Sequence, residues 1–277
     1  MDDTGMTQRQ PPKCHGRDTV PSTVLNYGGG RQTVAICVLI ERRMLPLPDL
    51  ILMADTGREN PTTWAYLAEH VQPMLAKLGR QVTVIPREEP PALTYGADDK
   101  PLIPVFSRDA NGKDGKMASF CTGTWKRDRM VSWLKANKIS KGERWIGYSV
   151  DEKRRIKRFL RSERQDGWQY RFPLNELMID KPQCIAIVKE RFGVEPPISS
   201  CWMCPHKRND EWRAIRESPE LWAAVCDMDD EMREQDLFRG GGGVWLHHSR
   251  VPLREADLDA EESADLVRQC SLGMCFI

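Results

Sequence analysis

The sequence predicts an α/β fold, a doubly wound parallel sheet followed by a mostly helical C-terminal region. Three observations carry this. Short apolar runs alternate with helical-period segments from residue 22 to about 150, the order that builds βαβ units. The run 49–54, Asp-Leu-Ile-Leu-Met-Ala, is apolar almost throughout, as in a strand covered on both faces. After about Tyr170 strand-like runs fade, and helical patterns occupy 181–192, 209–218 and 219–239.

The elements follow in order. Residues 1–20 are rich in Gln, Pro, Arg and Asp and read as a loosely packed arm. A strand at 22–27 leads through three glycines to a helix at 33–43. The second strand is 49–54. Pro61 suits the first turn of a helix running to about Leu78. A third strand is expected at 81–86 and a fourth at 145–149, ahead of a helix beginning near Asp151. Residues 87–118 show no clean period and read as a long functional loop. The glycines at 240–243 read as a flexible joint. There is no internal repeat.

A chain of 277 residues makes one large domain, or one domain with an appendage. No apolar run approaches the roughly 20 residues of a membrane span, and 1–21 lacks the apolar centre of a signal peptide. A cytoplasmic protein without a membrane partner is expected. The net charge of +1 hides an asymmetry. Residues 126–164 hold fourteen Lys/Arg against five Asp/Glu, a net of +9, whereas 209–265 hold sixteen acids against six bases, a net of −10. An anionic partner at the first stretch and a solvated helical surface at the second are one reading, and two ordinary charged faces the other. Trp125, Trp133 and Trp145 are interleaved with the basic run; they suit base stacking or, more commonly, the core. Nine cysteines, an odd number that includes one Cys-x-x-Cys, favour metal, redox or sulfur chemistry over a disulfide framework.

The stretch Asn26-Tyr-Gly28-Gly29-Gly30-Arg-Gln32-Thr33 joins a strand to a helix N-terminus. Unpaired backbone N–H groups and the helix dipole make such a junction an anion site. No Gly-Lys-Ser/Thr follows, so it is not a Walker A loop. Ala54-Asp55-Thr56-Gly57-Arg58-Glu59 ends the second strand and places carboxylates at the edge where open α/β sheets bind ligands. There Asp55 suits a metal or ribose contact, or a plain turn.

The glycine loop resembles a variant of the pyrophosphate loop (PP-loop) of the adenine nucleotide alpha hydrolases, normally Ser-Gly-Gly-x-Asp-Ser. Together with Ala54–Gly57 and Ile146-Gly147-Tyr-Ser-Val-Asp151-Glu152, it resembles the phosphoadenosine phosphosulfate (PAPS) reductase branch. Cys121-Thr-Gly-Thr-Trp-Lys126 and Ser200-Cys201-Trp-Met-Cys204-Pro205 extend the likeness over about 22–225. The resemblance implies a nucleotide-binding α/β domain at 21–175 and a helical region with the Cys-x-x-Cys and a cysteine-containing tail at 176–277. It implies that Asn26, Gly28, Gly29, Gly30, Gln32, Thr33, Asp55, Thr56, Gly57, Glu59, Gly147 and Asp151 hold ATP or PAPS. Lys126, Arg154 and Arg155 would face phosphate or sulfate oxygens, with Asp55, Lys126 and Arg154 catalytic. The family's loop Asp is Gln32 here, a poor ligand for Mg²⁺.

Cys121, Cys201 and Cys204 resemble the iron–sulfur spacing of adenylyl-sulfate reductases, with Phe120 where a tandem cysteine stands. A three-cysteine [4Fe–4S] cluster, as in the tRNA thiolases of the superfamily, is one expectation. Zinc with a fourth ligand from Cys184, His206, Cys270 or Cys275 is another, and no metal a third. The tail Gln269-Cys270-Ser-Leu-Gly lacks the reductases' Glu-Cys-Gly-Leu/Ile-His; Cys270 would stand in as nucleophile. Two enzyme readings result: ATP cleaved at its α–β bond to adenylylate an acceptor for sulfur transfer or nucleic-acid modification, or PAPS reduced to sulfite. An inactive nucleotide-binding module is the third. The partners implied are a sulfur donor or reductant protein, a nucleic-acid acceptor and a second copy in a homodimer.

Overall fold

Residues 23–87 form two successive βα units. They contain β1 (Thr23–Asn26), α1 (Arg31–Glu41), β2 (Leu50–Ala54), α2 (Pro61–Tyr66), a π-helical stretch at Leu67–Val71, α3 (Gln72–Ala76) and β3 (Val82–Ile85). The π-helical widening sits against Pro73, which cannot donate the next helical hydrogen bond. A short antiparallel pair follows, β4 (Thr94–Tyr95) and β5 (Lys100–Pro101), then a hairpin of β6 (Phe106–Arg108) and β7 (Asp114–Lys116). A second π-helical stretch, Thr122–Asp128, runs into α4 (Arg129–Ala136), followed by β8 (Gly142–Trp145), α5 (Lys153–Arg161) and β9 (Trp168–Arg171). The chain continues through α6 (Pro173–Glu176), α7 (Lys181–Phe192), α8 (Asn209–Arg216), α9 (Pro219–Glu234) and β10 (Gly243–Trp245). This computed structural model describes residues 23–87, 94–95, 100–161, 167–234 and 242–262.

The main sheet has five parallel strands in the order β3-β2-β1-β8-β9, the doubly wound α/β architecture expected from the alternation. Its two faces carry different helices. Leu25, Ile51 and Trp145 pack with α1, α2, α3 and α7; Val24, Leu52 and Ala54 pack with Met130 and Leu134 of α4. From β1 the chain steps outward to β2 and β3, then returns to the other side of β1 as β8. The carboxyl ends of β1 and β8 are therefore a topological switch point, where such sheets open a crevice. Helix α1 is buried over all of Thr33–Ile40, as befits the central helix. Helix α7 matches its expected span: Asp180 and Gln183 cap its start reciprocally, and Gly193, at φ 76°, ends it in the left-handed region.

The fourth strand corrects its expected position. It is Gly142–Trp145, and 146–149 already form the loop beyond its carboxyl end. Arg144 hides it from a hydropathy pattern: the guanidinium is buried, bonds Asn26 Oδ1 at 3.1 Å and lies over the Trp168 and Tyr170 rings. The expected loop at 87–118 contains β4 to β7, and Gly243 opens a strand that pairs with β6. Strands of two or three residues are too short to show a period of two. The sheet β10-β6-β7 covers a second core of Trp125, Met203, Trp212, Val225 and Leu246. At its centre Asp229 of α9, about 1% exposed, accepts 2.8 Å hydrogen bonds from Leu246 N and Leu253 N and pairs with Arg233.

The arm at 1–20, Gly240, Gly241, Cys270 and Cys275 lie outside the described residues. Among the described residues no helix is long and apolar enough to cross a membrane.

His247 beside this core is fully buried, with Nε2 bonded to Asn209 Oδ1 at 2.9 Å and Nδ1 to Ser249 Oγ at 2.6 Å. Burial, aided by the adjacent His248, holds its pKa down at about 4, below the ordinary 6.5. Above pH 6.5 both folded and unfolded chains are neutral here, and stability is intact. Between 6.5 and 4 only the unfolded chain takes up the proton, so stability falls with pH by about 3 kcal/mol. Urea midpoints at pH 7, 5.5 and 4.5 check this, and His247→Gln is expected to flatten the decline.

Candidate functional site

At the switch point the carboxyl ends of β1, β2 and β8 open onto a cavity of about 280 Å³. The glycine loop forms one wall. Gly29 sits at φ 73°, and a Cβ there would stand 2.4 Å from Thr63 Cγ2. Gly30 caps α1 with no side chain bonded across the first turn and no acidic residue within it. The first-turn N–H groups of α1 are thus left for whatever occupies the cavity. Ser199 closes over the loop: its Oγ donates to Gly28 O, and a Cβ on Gly30 would lie 2.7 Å from Ser199 Cβ. Gly147, beyond β8, lets that loop approach Thr33, since a Cβ would come within 2.8 Å of Thr33 Cγ2.

Cations and carboxylates share the remaining walls. Arg31, Lys126, Arg155, Lys181 and Arg208 line the cavity together with Glu59, Glu152 and Glu211. Glu152 is buried and heavily bonded, accepting from Gln32 Nε2 at 2.9 Å, from Ser149 N and Oγ, and from Arg155. Gln32 is therefore anchored to the loop after β8, 120 residues away. Glu211 accepts from Arg208 N at 3.2 Å. Glu59 Oε1 pairs with Lys126 Nζ at 2.8 Å, with both side chains almost wholly buried. Its second oxygen, Oε2, is buried with no hydrogen-bond partner. Met53, Ala54, Met130, Ile146 and Ile198 make an apolar wall suited to a flat ring.

Of the residues anticipated to bind or react, Asn26, Gly28, Gly30, Gln32, Thr33, Glu59, Lys126 and Gly147 line this cavity. Gly29, Asp55, Thr56 and Gly57 do not. Asp55 Oδ1 accepts from Gly57 N at 2.7 Å, so its carboxylate holds the turn after β2. Thr56 is buried between Glu59 Oε1 (3.4 Å) and Cys201 Sγ (3.9 Å). Asp151 and Arg154 are exposed and outside the lining, whereas Arg155 lies within it, over the Tyr148 ring at 4.4 Å. Lys181, Ser199 and Arg208 carry no motif in the sequence, and only the fold brings them here.

Cys121, Cys201 and Cys204 converge on a second cavity of about 20 Å³, with Trp125, Met203 and Lys126 in its wall. Lys126 lines both cavities. Burial pushes the Cys121 and Cys201 thiols up, and the Glu59 carboxylate adds to the effect at Cys201. The space between them is that of a single water. Among the described residues no group of three or more His, Cys, Asp or Glu side chains is arranged to hold a metal ion. The trio does not fit a cluster or zinc in this arrangement. Of the proposed fourth ligands, Cys184 lies on the buried face of α7, in the core, and His206 bonds Lys116 through Nδ1 at 3.0 Å.

No protein-family model matches the chain, and no curated protein does. Among solved structures it is similar to the U34-tRNA thiolase NcsA from Methanococcus maripaludis with its [4Fe–4S] cluster. The two are 12% identical with a TM-score of 0.41, over 91% of this chain and 82% of that one.

Proposed function

We propose that the larger cavity binds an adenine nucleotide by its phosphates. The protein cleaves ATP between its α and β phosphates, adenylylating an acceptor for sulfur transfer or nucleic-acid modification. The observation that carries this reading is the convergence of the uncapped α1 N-terminus, Lys126 and Arg155 on one cavity at the switch point. An acceptor oxygen attacks the α phosphorus and pyrophosphate departs. The N–H groups of α1 and the two cations stabilise charge growing on the leaving group. A sulfur nucleophile then displaces AMP. Sulfur chemistry is favoured by the three thiols behind Lys126. They enter the reading as thiols, and no step runs through a metal cluster.

The test is pyrophosphate release from ATP by the wild-type protein, set beside Gly30→Ala and Arg155→Ala. Gly30→Ala pushes a methyl into Ser199 and is expected to cost about 1–3 kcal/mol of stability and at least tenfold in ATP affinity. Arg155→Ala is expected to keep the fold and slow release at least tenfold. Sulfite released from PAPS with a thiol donor, with ATP untouched, would replace this reading by reduction. Binding without turnover of either nucleotide would leave a binding module.

A further inference from the structure

A cavity that takes phosphates should not leave a carboxylate oxygen bare beside them, yet this one does. The Glu59 side chain is about 1% exposed and lines the cavity. Lys126 occupies Oε1 at 2.8 Å, and buried Oε2 has no partner. An orphaned buried acceptor is costly, and native structures keep few of them. The chain also fixes how near it lies to the glycine loop. Ser199 stands over Gly28 and Gly30, and Cys201, two residues on, forms a β-bridge with Glu59. Two extended residues span about 7 Å. A phosphate on the loop and the Glu59 carboxylate would thus be two anions facing each other in a poorly solvated space, which is unfavourable unless a cation lies between them.

Of the five lining cations, Arg31 stands in the first turn of α1, on the glycine-loop side, and the other four are placed elsewhere. Lys126 is engaged on Oε1, Arg155 and Lys181 on Glu152, and Arg208 on Glu211 and Asp210. Gln32, at the loop's usual metal-seeking position, is spent on Glu152. We propose that Glu59, through Oε2, is the protein ligand for a divalent cation of the Mg²⁺ class that enters with the nucleotide phosphates. A cation of this class needs only one or two protein carboxylates when phosphate oxygens and water complete its shell. No protein cage of three ligands is required, in keeping with the described residues. The turn after β2 thereby takes over the role that the glycine loop has given up with Gln32.

The inference rests on the nucleotide reading and is tested without turnover. Equilibrium dialysis measures ATP binding with Mg²⁺ and with EDTA, and inorganic pyrophosphate binding with and without Mn²⁺, followed by loss of the free Mn²⁺ EPR signal. The wild type is expected to hold ATP about tenfold more tightly with Mg²⁺. Glu59→Gln, of the same shape, is expected to bind ATP equally in both conditions, and Glu59→Asp to recover part of the response. Thermal melts identify any variant that has lost its fold. A Glu59→Gln protein that keeps the tenfold response overturns the proposal, as does a wild type that binds ATP indifferently to metal. If ATP fails to bind in either condition, the nucleotide reading falls, and Mn²⁺-dependent pyrophosphate binding that Glu59→Gln abolishes decides the cation site on its own.

Discussion

An Asp229→Ala variant is expected to lose about 3–5 kcal/mol of unfolding free energy. The carboxylate is about 1% exposed, and each oxygen holds one backbone N–H, Leu246 N and Leu253 N, at 2.8 Å. Its third partner is Arg233, one turn along α9. Truncation strands two buried donors and leaves the guanidinium with Asp230 as its remaining charge partner. These bonds fasten β10 and the segment around Leu253 to α9, so the whole second core should loosen with them. Asp229→Asn keeps an acceptor and loses the charge, and about 1–3 kcal/mol is expected. Urea unfolding checks the order wild type, Asn, Ala; equal midpoints for Ala and wild type would contradict the account.

A Lys126→Ala variant is expected to be destabilised by about 3–5 kcal/mol and to lose nucleotide binding together. The reason is the Glu59 carboxylate, which would remain buried with one oxygen stripped of its cation and the other already bare. The double variant Lys126→Met with Glu59→Gln removes both charges. It should recover part of the lost stability while still failing to bind, because the anion site lacks its lysine. That split separates a structural ion pair from a working one. Double-mutant analysis of urea midpoints reads the first quantity, and equilibrium dialysis of ATP the second.

The parts legible in the sequence are those whose signals are local. Asp49–Ala54 announces a covered strand by composition, the glycines after Asn26 announce the turn from β1 into α1, and Asp180 and Gly193 bracket α7 by capping chemistry. The illegible parts depend on distant partners. Arg144 looks like a break in a strand until Asn26 and two aromatic rings are placed against it. Gln32 reads as a lost metal ligand, whereas the fold makes it a tie to Glu152. Asp55 sits where a ligand carboxylate belongs and instead holds its own turn. The cysteine trio stands between these cases: its convergence on one cavity follows the motif order, but its spacing and protonation follow from burial.

Residues 199–201 have a mechanical consequence. Ser199 is pinned to the floor of the glycine loop, and two peptide units later Cys201 is stitched to Glu59, with Asn60 N donating to Ser200 O between them. A span this short, fastened at both ends, has no slack with which to absorb a shift. A shift of the glycine loop is therefore expected to move the Cys201 backbone with it. The larger cavity and the thiol cavity share one short span fastened at both ends, and substitutions along it are expected to perturb both together.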